Sequence, residues 1–232
     1  MDCQFDRIVI AVPELPVASA QYQSLLGAAP CTDPTAGEAP SAWWGLPNTV
    51  IELVQRPVDS ASIEGFVLKS AAAGGSECAV ANGLGLDIVL SNGQRTADFR
   101  REQQQSQCTG MLVDHLVLRT GDAQACIELF RDSLGIRLAL DKTVPEWGGR
   151  MLFFRAGKLT LEVIQSDGAE PGRNFFWGIA YQCPALEPAV EILRERGVLL
   201  SGVREGRKPG TRVATVKSHC LAIPTLLIEP AR

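Results

Sequence analysis

Two side chains in this sequence have the chemistry to act together on a small molecule. His115 follows Asp114 in the apolar run V-D-H-L-V-L, and Glu162 lies in the middle of T-L-E-V-I. An imidazole can move a proton or bind a metal, although on an apolar strand it is more often a hydrogen-bonded pocket or core residue. A carboxylate is costly to bury without a partner, so Glu162 faces either a pocket or solvent on an outer sheet face, and we expect the pocket. The same argument applies to Glu52 in V-I-E-L-V.

Other common catalytic motifs do not occur in the sequence. Gly83-x-Gly85 lacks the third glycine and the strand–helix context of a dinucleotide-binding loop, and there is no G-x-S-x-G, H-E-x-x-H or P-loop string. The 7 cysteines are odd in number and widely spaced without C-x-x-C, which disfavours a disulfide framework and a zinc ribbon. We therefore expect reduced thiols in a cytoplasmic protein.

The composition is typical of a globular protein. The 232 residues are 46% hydrophobic and 21% charged, which excludes a disordered or collagen-like chain and allows one large or two smaller domains. A net charge of -4 without a run of Lys or Arg argues against a general nucleic-acid binder. No apolar stretch approaches the ~20 residues of a membrane span, and the first residues do not resemble a secretory signal. We expect neither nucleic acid nor a membrane as a partner.

An internal repeat organises the chain and positions the candidate residues. Residues 5–12 match residues 113–120 as short β-rich strings, and both are followed by a helical pattern that ends in glycine. Residues 49–55 then match residues 159–165. Three features thus recur in the same order at an offset of about 108 residues, which chance seldom produces.

Two weaker copies complete the pattern, and the repeating unit has the order strand–helix–strand–strand–strand. The second copy is shortened, with room for only a short helix between its first and last strands. The polar segment 91–107 fits a linker between the halves, or a surface helix. We predict an N-terminal half, 1–108, with modules near 4–57 and 62–92, and a C-terminal half, 109–232, with modules near 112–167 and 174–230.

These features resemble the vicinal oxygen chelate superfamily, which includes glyoxalase I, methylmalonyl-CoA epimerase, extradiol dioxygenases and bleomycin resistance proteins. The resemblance rests on the strings D-H-L-V-L, A-C-I-E-L-F-R-D-S-L-G and T-L-E-V-I-Q, and it is weakest between residues 57 and 108. It implies an α+β fold in which tandem βαβββ modules form two open barrels. It does not select one reaction, because the superfamily supports many chemistries on one scaffold.

The resemblance also implies metal ligands on the first and last strands of each module. In the third module, His115 and Glu162 occupy both positions. The other modules carry Arg7 and Glu52, Gly65 and Asp87, and Gly178 with Leu226 or Leu227, beyond which lies Glu229. If the second and third modules share a barrel, Asp87 would complete a three-ligand site; if the third and fourth pair, Glu229 would have to do so. Such a site suits Fe(II), Mn(II), Ni(II) or Zn(II), and a metal-free protein is an equal expectation.

The remaining site predictions concern the walls of the binding pocket. Arg7 and Glu52 are assigned to the substrate-binding wall of the first module, as a salt bridge that fills a vestigial site. Pockets of this kind have mostly apolar and aromatic walls, so we also assign substrate contact to Trp147, Phe154 and Trp177.

Three functions follow as hypotheses. The first is a divalent-metal-dependent enzyme of lyase, isomerase or dioxygenase type, in which the metal binds two adjacent oxygens of a small molecule and Glu162 moves a proton. An extradiol dioxygenase is disfavoured because it needs two His, and His219, the other His of the chain, lies away from the expected position. The second is a metal-free ligand-sequestering protein of the bleomycin-resistance kind. The third is a degenerate member that binds a protein partner. A monomer and a homodimer are both compatible with four modules.

Overall fold

The first half of the chain folds into two modules of unequal length. The computed structural model describes residues 3–31, 39–71, 73, 74, 76–97, 99, 110–144 and 149–231. The first module contains strand β1 (Gln4–Val12), helix α1 (Leu15–Leu26) and strands β2 (Ser41–Gly45) and β3 (Val50–Gln55). The described residues of the second module form only strands, namely β4 (Ser62–Lys69), β5 (Cys78–Ala79) and β6 (Asp87–Ser91). Residues 94–97 and 99 are helical and are called the linker helix below; the rest of the predicted linker lies outside the described residues.

The second half contains two modules with the predicted order of elements. The third module consists of β7 (Leu112–Thr120), α2 (Ala123–Ile127) with a π-helical continuation (Glu128–Ser133), β8 (Arg137–Val144), β9 (Gly149–Ala156) and β10 (Leu159–Ser166). The fourth consists of β11 (Asn174–Gln182), α3 (Leu186–Glu195), β12 (Arg204–Glu205), β13 (Arg212–Val216) and β14 (Thr225–Glu229). The carboxylate of Asp122 accepts hydrogen bonds from the first amides of α2, and Gly135 after the π-helical turn has a positive φ of 68°. The strand–helix–strand–strand–strand order is confirmed.

The modules pair first with second and third with fourth, which settles the alternative that the sequence left open. One mixed sheet has the order β2-β3-β1-β4-β6-β5, and the other has the order β12-β13-β14-β11-β7-β10-β9-β8. In each sheet the first strands of two modules lie antiparallel at the centre, β1 against β4 and β7 against β11. Each sheet therefore combines two modules and is open in the described strands. This arrangement confirms the predicted α+β fold of tandem βαβββ modules.

Each central strand pair carries β-bulges at equivalent positions. Asp6 on β1 and Asp114 on β7 are extra residues that have no partner in the register of the opposite strand. Side chains normally alternate along a strand, and the bulge interrupts that alternation. Val113 and Leu116 therefore both point into the core, each with 0% exposure, while Asp114 and His115 between them turn to the opposite face.

Backbone packing explains why the second and fourth modules offer no side chain at the position of His115. The residue at this position is Gly65 in the second module and Gly178 in the fourth. A Cβ atom on Gly65 would overlap the backbone oxygen of Asp87, and one on Gly178 would lie 2.6 Å from the backbone oxygen of Pro224. The neighbouring strand thus closes both positions to a metal ligand.

The hydrophobic core runs through both halves of the chain. Phe66 on β4 packs against the rings of Phe130 and Phe176 from the second half, at centroid distances of 6.4 and 5.5 Å. Asn48 from the first half also holds the backbone of Val113, donating to its oxygen at 2.7 Å and accepting from its amide at 3.1 Å. The first half thereby fixes the strand directly before Asp114 and His115. Among the described residues, no helix has the length and apolar character needed to span a membrane.

We expect Gly178→Ala to lower the free energy of unfolding by about 1–3 kcal/mol, because the added methyl group overpacks the β11–β14 contact. Gly202→Ala is the matched control, since a Cβ there meets no atom within 4 Å. Urea unfolding followed by circular dichroism measures both. Equal stability of the two variants would contradict the proposed close approach of the strands.

Candidate functional site

Asp114, His115 and Glu162 form a connected group on the open face, which we define as the face of the second sheet opposite the core residues Leu116 and Leu161. Nδ1 of His115 lies 2.9 Å from Oδ2 of Asp114, and Nε2 lies 3.5 Å from Oε2 of Glu162. Glu162 reaches this position because β10 runs parallel to β7, with Glu162 opposite Val117. The predicted pair of His115 and Glu162 is thus brought together, with Asp114 as a third member.

The protonation states of this group follow from its hydrogen bonds and burial. The hydrogen bond from His115 lowers the pKa of Asp114, so this carboxylate stays ionised and accepts from Nδ1–H. Nε2 is then the nitrogen that faces Glu162. Burial raises the pKa of Glu162 above 4.5, and the charges of His115 and Arg207 oppose that rise. Nε2 of His115 and Oε2 of Glu162 thus lie side by side, 3.5 Å apart, where both can contact a bound molecule.

Three cationic side chains, Arg155, Arg207 and Lys208, act on the group formed by Asp114, His115 and Glu162. Arg155 donates from Nη1 to Oγ1 of Thr160 at 2.5 Å, and Thr160 lies opposite His115 in the sheet. The charges of Arg155 and Lys208 act on Asp114, and that of Arg207 acts on Glu162. Positive charge close to the group suits an anionic substrate, or a negative charge that develops on a substrate oxygen.

The equivalent position in the first half contains an ion pair instead. Nε of Arg7 donates to Oε2 of Glu52 at 2.7 Å, while Nη1 and Nη2 donate to the two carboxylate oxygens of Glu77 at 2.6 and 2.7 Å. The predicted Arg7–Glu52 salt bridge is present, and its guanidinium carries a permanent charge where the second half has an imidazole.

The linker helix covers this ion pair. Its residues Arg95 and Phe99 lie against the ring of Trp43, at 4.9 Å and 4.7 Å, and the guanidinium of Arg7 lies 5.1 Å from the same ring. Arg7 is 5% exposed and Glu52 8% exposed. The assignment of these two residues to substrate contact is therefore corrected: their polar atoms are engaged within the protein.

The other predicted metal ligands lie elsewhere. Asp87 belongs to the first sheet, opposite Gly65, and the register places Val89 rather than Asp87 at the position of Glu162. Glu229 accepts a hydrogen bond from the amide of Leu186 at the start of α3, at 2.9 Å, and pairs with Arg212 at 2.5 Å. It thus lies on the helix-covered face of β14, opposite to His115.

A divalent metal at this site would consequently find two protein donors, Nε2 of His115 and the carboxylate of Glu162. Asp114 orients His115 in the manner common for metal-bound imidazoles. However, the described residues contain no group of three His, Cys, Asp or Glu side chains that could hold a metal. Since resident Zn and Fe sites typically use three or more protein ligands, this donor set does not fit the predicted three-ligand site.

The aromatic predictions have different outcomes. Phe154 is 0% exposed and packs on Phe130 at 5.3 Å in the core, so its assignment to the pocket wall is wrong. The open face instead carries Phe153, which lies opposite Glu162. Trp177 is 43% exposed. Trp147 lies outside the described residues.

A cavity of about 340 Å³ lies at the end of the open face, where β7, β10 and β11 meet. Its wall includes the side chains of Arg119, Ile164, Ser166, Arg173, Phe175 and Trp177. Ile164 is two residues beyond Glu162, so the cavity continues the face that carries the candidate site.

Sequence reasoning missed two residues of the open face, namely Asp114, which contacts His115, and Arg119, which lies in the cavity wall. The signal for Asp114 was the dipeptide Asp6-Arg7 at the equivalent position of the first half, because an Asp repeated before the site residue indicates a conserved local geometry within the chain. No comparable signal marks Arg119, whose equivalent is Ala11.

Comparison with known proteins agrees with this architecture. Residues 114–215 match the family model described as the Glyoxalase/Bleomycin resistance protein/Dioxygenase superfamily. A 74-residue stretch is 39% identical to an ethylmalonyl-CoA/methylmalonyl-CoA epimerase from Cereibacter sphaeroides. This match covers 31% of the chain and 54% of the relative, and thus about half of the relative's length.

Two solved structures extend the comparison. A variant of 4-hydroxymandelate synthase from Streptomyces coelicolor aligns with 99% of this chain and 93% of its own, with a TM-score of 0.70 and 12% identity. Methylmalonyl-CoA epimerase from Mycobacterium tuberculosis aligns with 52% of this chain and 88% of its own, with a TM-score of 0.43 and 20% identity. Residues 114–215 thus match the model of the glyoxalase/bleomycin resistance/dioxygenase superfamily, and the whole chain shares its fold with 4-hydroxymandelate synthase.

We expect Arg7→Leu to lower the free energy of unfolding by about 3–5 kcal/mol, because it removes the cation that pairs directly with the buried carboxylate of Glu52. The double variant Arg7→Leu/Glu52→Leu removes that carboxylate as well and should recover part of the loss. Arg131→Leu, which removes an exposed ion pair with Asp132, should leave stability nearly unchanged. Chemical unfolding of the three variants provides the comparison. A double variant no more stable than Arg7→Leu would contradict the account of the buried pair.

Proposed function

We propose that this chain is an enzyme that moves a proton on a small substrate with two adjacent oxygens, as in an isomerase or lyase reaction. The observation that supports it best is the arrangement of Asp114, His115 and Glu162, in which Nε2 and Oε2 lie 3.5 Å apart on an open sheet face. The free thiols of the described cysteines fit action in the cytoplasm.

In this proposal Glu162 acts as the general base. Its carboxylate takes a proton from the carbon beside a carbonyl group, and the electron pair of the broken C–H bond moves toward the carbonyl oxygen. Burial raises the pKa of Glu162, which makes it a stronger base than an exposed carboxylate. Return of the proton to the same carbon, or to its neighbour, completes an isomerisation without an oxidant or reductant.

His115 and the surrounding cations stabilise the negative charge formed on the substrate oxygen. Asp114 holds Nδ1 of His115 at 2.9 Å and so directs Nε2 toward that oxygen. The positive charge of Arg155 acts on Asp114, and that of Arg207 acts on Glu162, so both lie close to the proposed substrate oxygen. The local similarity to an ethylmalonyl-CoA/methylmalonyl-CoA epimerase supports this reaction class, since epimerisation at such a carbon also needs proton transfer.

A second candidate is a ligand-sequestering protein without catalysis. It is favoured by the cavity of about 340 Å³ and by the exposed ring of Trp177 at its rim. In that case His115 and Glu162 would anchor a ligand through hydrogen bonds and leave its C–H bonds intact.

The proposal is tested by hydrogen exchange in D₂O. The protein is incubated with a panel of 2-oxo acids, 2-hydroxyketones and acyl-CoA thioesters, and NMR follows exchange at the carbon next to the carbonyl. Glu162→Gln should reduce the exchange rate roughly 10²–10⁴-fold. Glu191→Gln, which changes an exposed carboxylate on α3, should keep the wild-type rate.

The pH dependence has a defined sign. The base must be ionised, so the exchange rate should fall as the pH drops through the raised pKa of Glu162, above 4.5. Undiminished exchange in Glu162→Gln would refute the assigned base, and ligand binding without any exchange would favour the second candidate. Parallel samples with Fe(II), Mn(II), Ni(II) or Zn(II) test the metal-dependent form of the enzyme.

A further inference from the structure

We infer that Arg119, together with the rings of Phe175 and Trp177, forms a subsite that binds an anionic group attached to a flat apolar group of the ligand. The inference rests on the proposed function in one respect, because it takes the anchored molecule to be the substrate of Glu162. Binding at the subsite does not itself require proton transfer.

Arg119 is a half-buried cation in the cavity wall. Its Nη1 donates to Oγ of Ser166 at 2.5 Å, and its guanidinium carbon lies 5.3 Å from the centroid of the Trp177 ring. Both partners are neutral, and within the described ranges no carboxylate forms an ion pair with Arg119. A guanidinium held in a cavity wall by neutral groups retains donors for a carboxylate or a phosphate.

The two rings supply an apolar surface next to this charge. Phe175 and Trp177 are 40% and 43% exposed, among the most exposed large apolar side chains of the described residues. Trp177 is the extra residue of the bulge in β11, which turns its side chain to the open face. Arg173 lies 5.1 Å from the ring of Phe175 and pairs at 3.9 Å with Glu170. Glu170 also lines the cavity, so its charge is offset by Arg173 and the wall keeps the positive charge of Arg119.

The internal repeat gives an independent argument. The equivalent of Arg119 in the first half is Ala11, and the equivalent of Trp177 is Glu64, which pairs with Arg56 at 3.4 Å. The arginine and the tryptophan thus occur together only in the half that has His115 beside Glu162. This distribution is expected if the subsite serves that pair, whereas a purely structural role would apply equally to both halves.

The position and volume of the subsite limit the length and shape of the ligand. Arg119 is four residues beyond His115 on the same strand, about 13 Å along β7. The cavity of about 340 Å³ is at the lower end of the range for small-molecule pockets. A flat group over Ile164, between the reacting carbon and the anion, would fill this interval. The shared chemistry is that of an aromatic or acyl acid, with the charge on either a carboxylate or a phosphate.

Calorimetric titration of charged and neutral ligand pairs tests the inference. The probes are 3-phenylpropionate with 3-phenylpropionamide, and adenosine 5′-phosphate with adenosine, so that the two sources of charge are distinguished. For at least one pair, the anion should bind at least tenfold more tightly than its neutral analogue. Arg119→Met should abolish that preference, and Trp177→Ala should weaken both members of the pair. Arg131→Met, which changes an exposed arginine beside Asp132, should retain the preference.

Two further variants keep the outcome interpretable. Arg119→Lys retains the charge and should keep part of the preference even if Arg119→Met fails to fold, which thermal unfolding detects. Glu162→Gln should bind the anion as the wild type does while losing exchange, so failure of the proposed reaction and failure of the subsite are separate results. Equal binding of charged and neutral probes by the wild type would overturn the subsite, as would an unchanged preference in a folded Arg119→Met.

Discussion

The candidate site depends on one irregularity in the central strand pair of the second sheet. In a regular strand, Asp114 and His115 would point to opposite faces, and no hydrogen bond could join them across the sheet. The bulge turns both toward the open face, where the carboxylate holds the imidazole at 2.9 Å and directs Nε2 to Glu162. The register of the antiparallel pair β7 and β11 therefore creates the geometry of the group formed by Asp114, His115 and Glu162.

The first half keeps the same geometry with different chemistry. Asp6 and Arg7 occupy the equivalent bulge, and Glu52 occupies the place of Glu162. A guanidinium stays protonated at physiological pH, so the first half has a fixed positive charge where the second half has an imidazole. Two carboxylates and the linker helix then surround that charge. The position that holds an imidazole on an open face in the second half thus belongs to a buried ion pair in the first half, because one residue differs and the linker helix covers it.

The sequence was sufficient to predict the repeat, the order of elements in the modules and the pair of His115 with Glu162. These predictions depend on local patterns, which repeat in the chain. The errors at Asp87, Glu229 and Phe154 each depend on strand register or on the face to which a residue points. The error at Arg7 and Glu52 has another cause, because a segment distant in the chain covers this pair. A shift of one residue moves a side chain to the opposite face, as with Phe154 in the core and Phe153 opposite Glu162. Register is set by pairing between distant segments, so one strand's sequence does not determine it.

The first half, whose own equivalent site is closed, also helps to position the open site of the second half. A proton-transfer group must be held within a fraction of an ångström, and side chains on strands that are themselves fixed meet this requirement best. Asn48 holds the backbone of Val113, directly before the bulge, and Phe66 packs against Phe130 and Phe176 around the same strand pair. None of these contacts involves Arg7. The packing of the first half can therefore position His115 even though its own equivalent position carries an arginine, and this explains how two equivalent halves can differ in chemistry while one supports the site of the other.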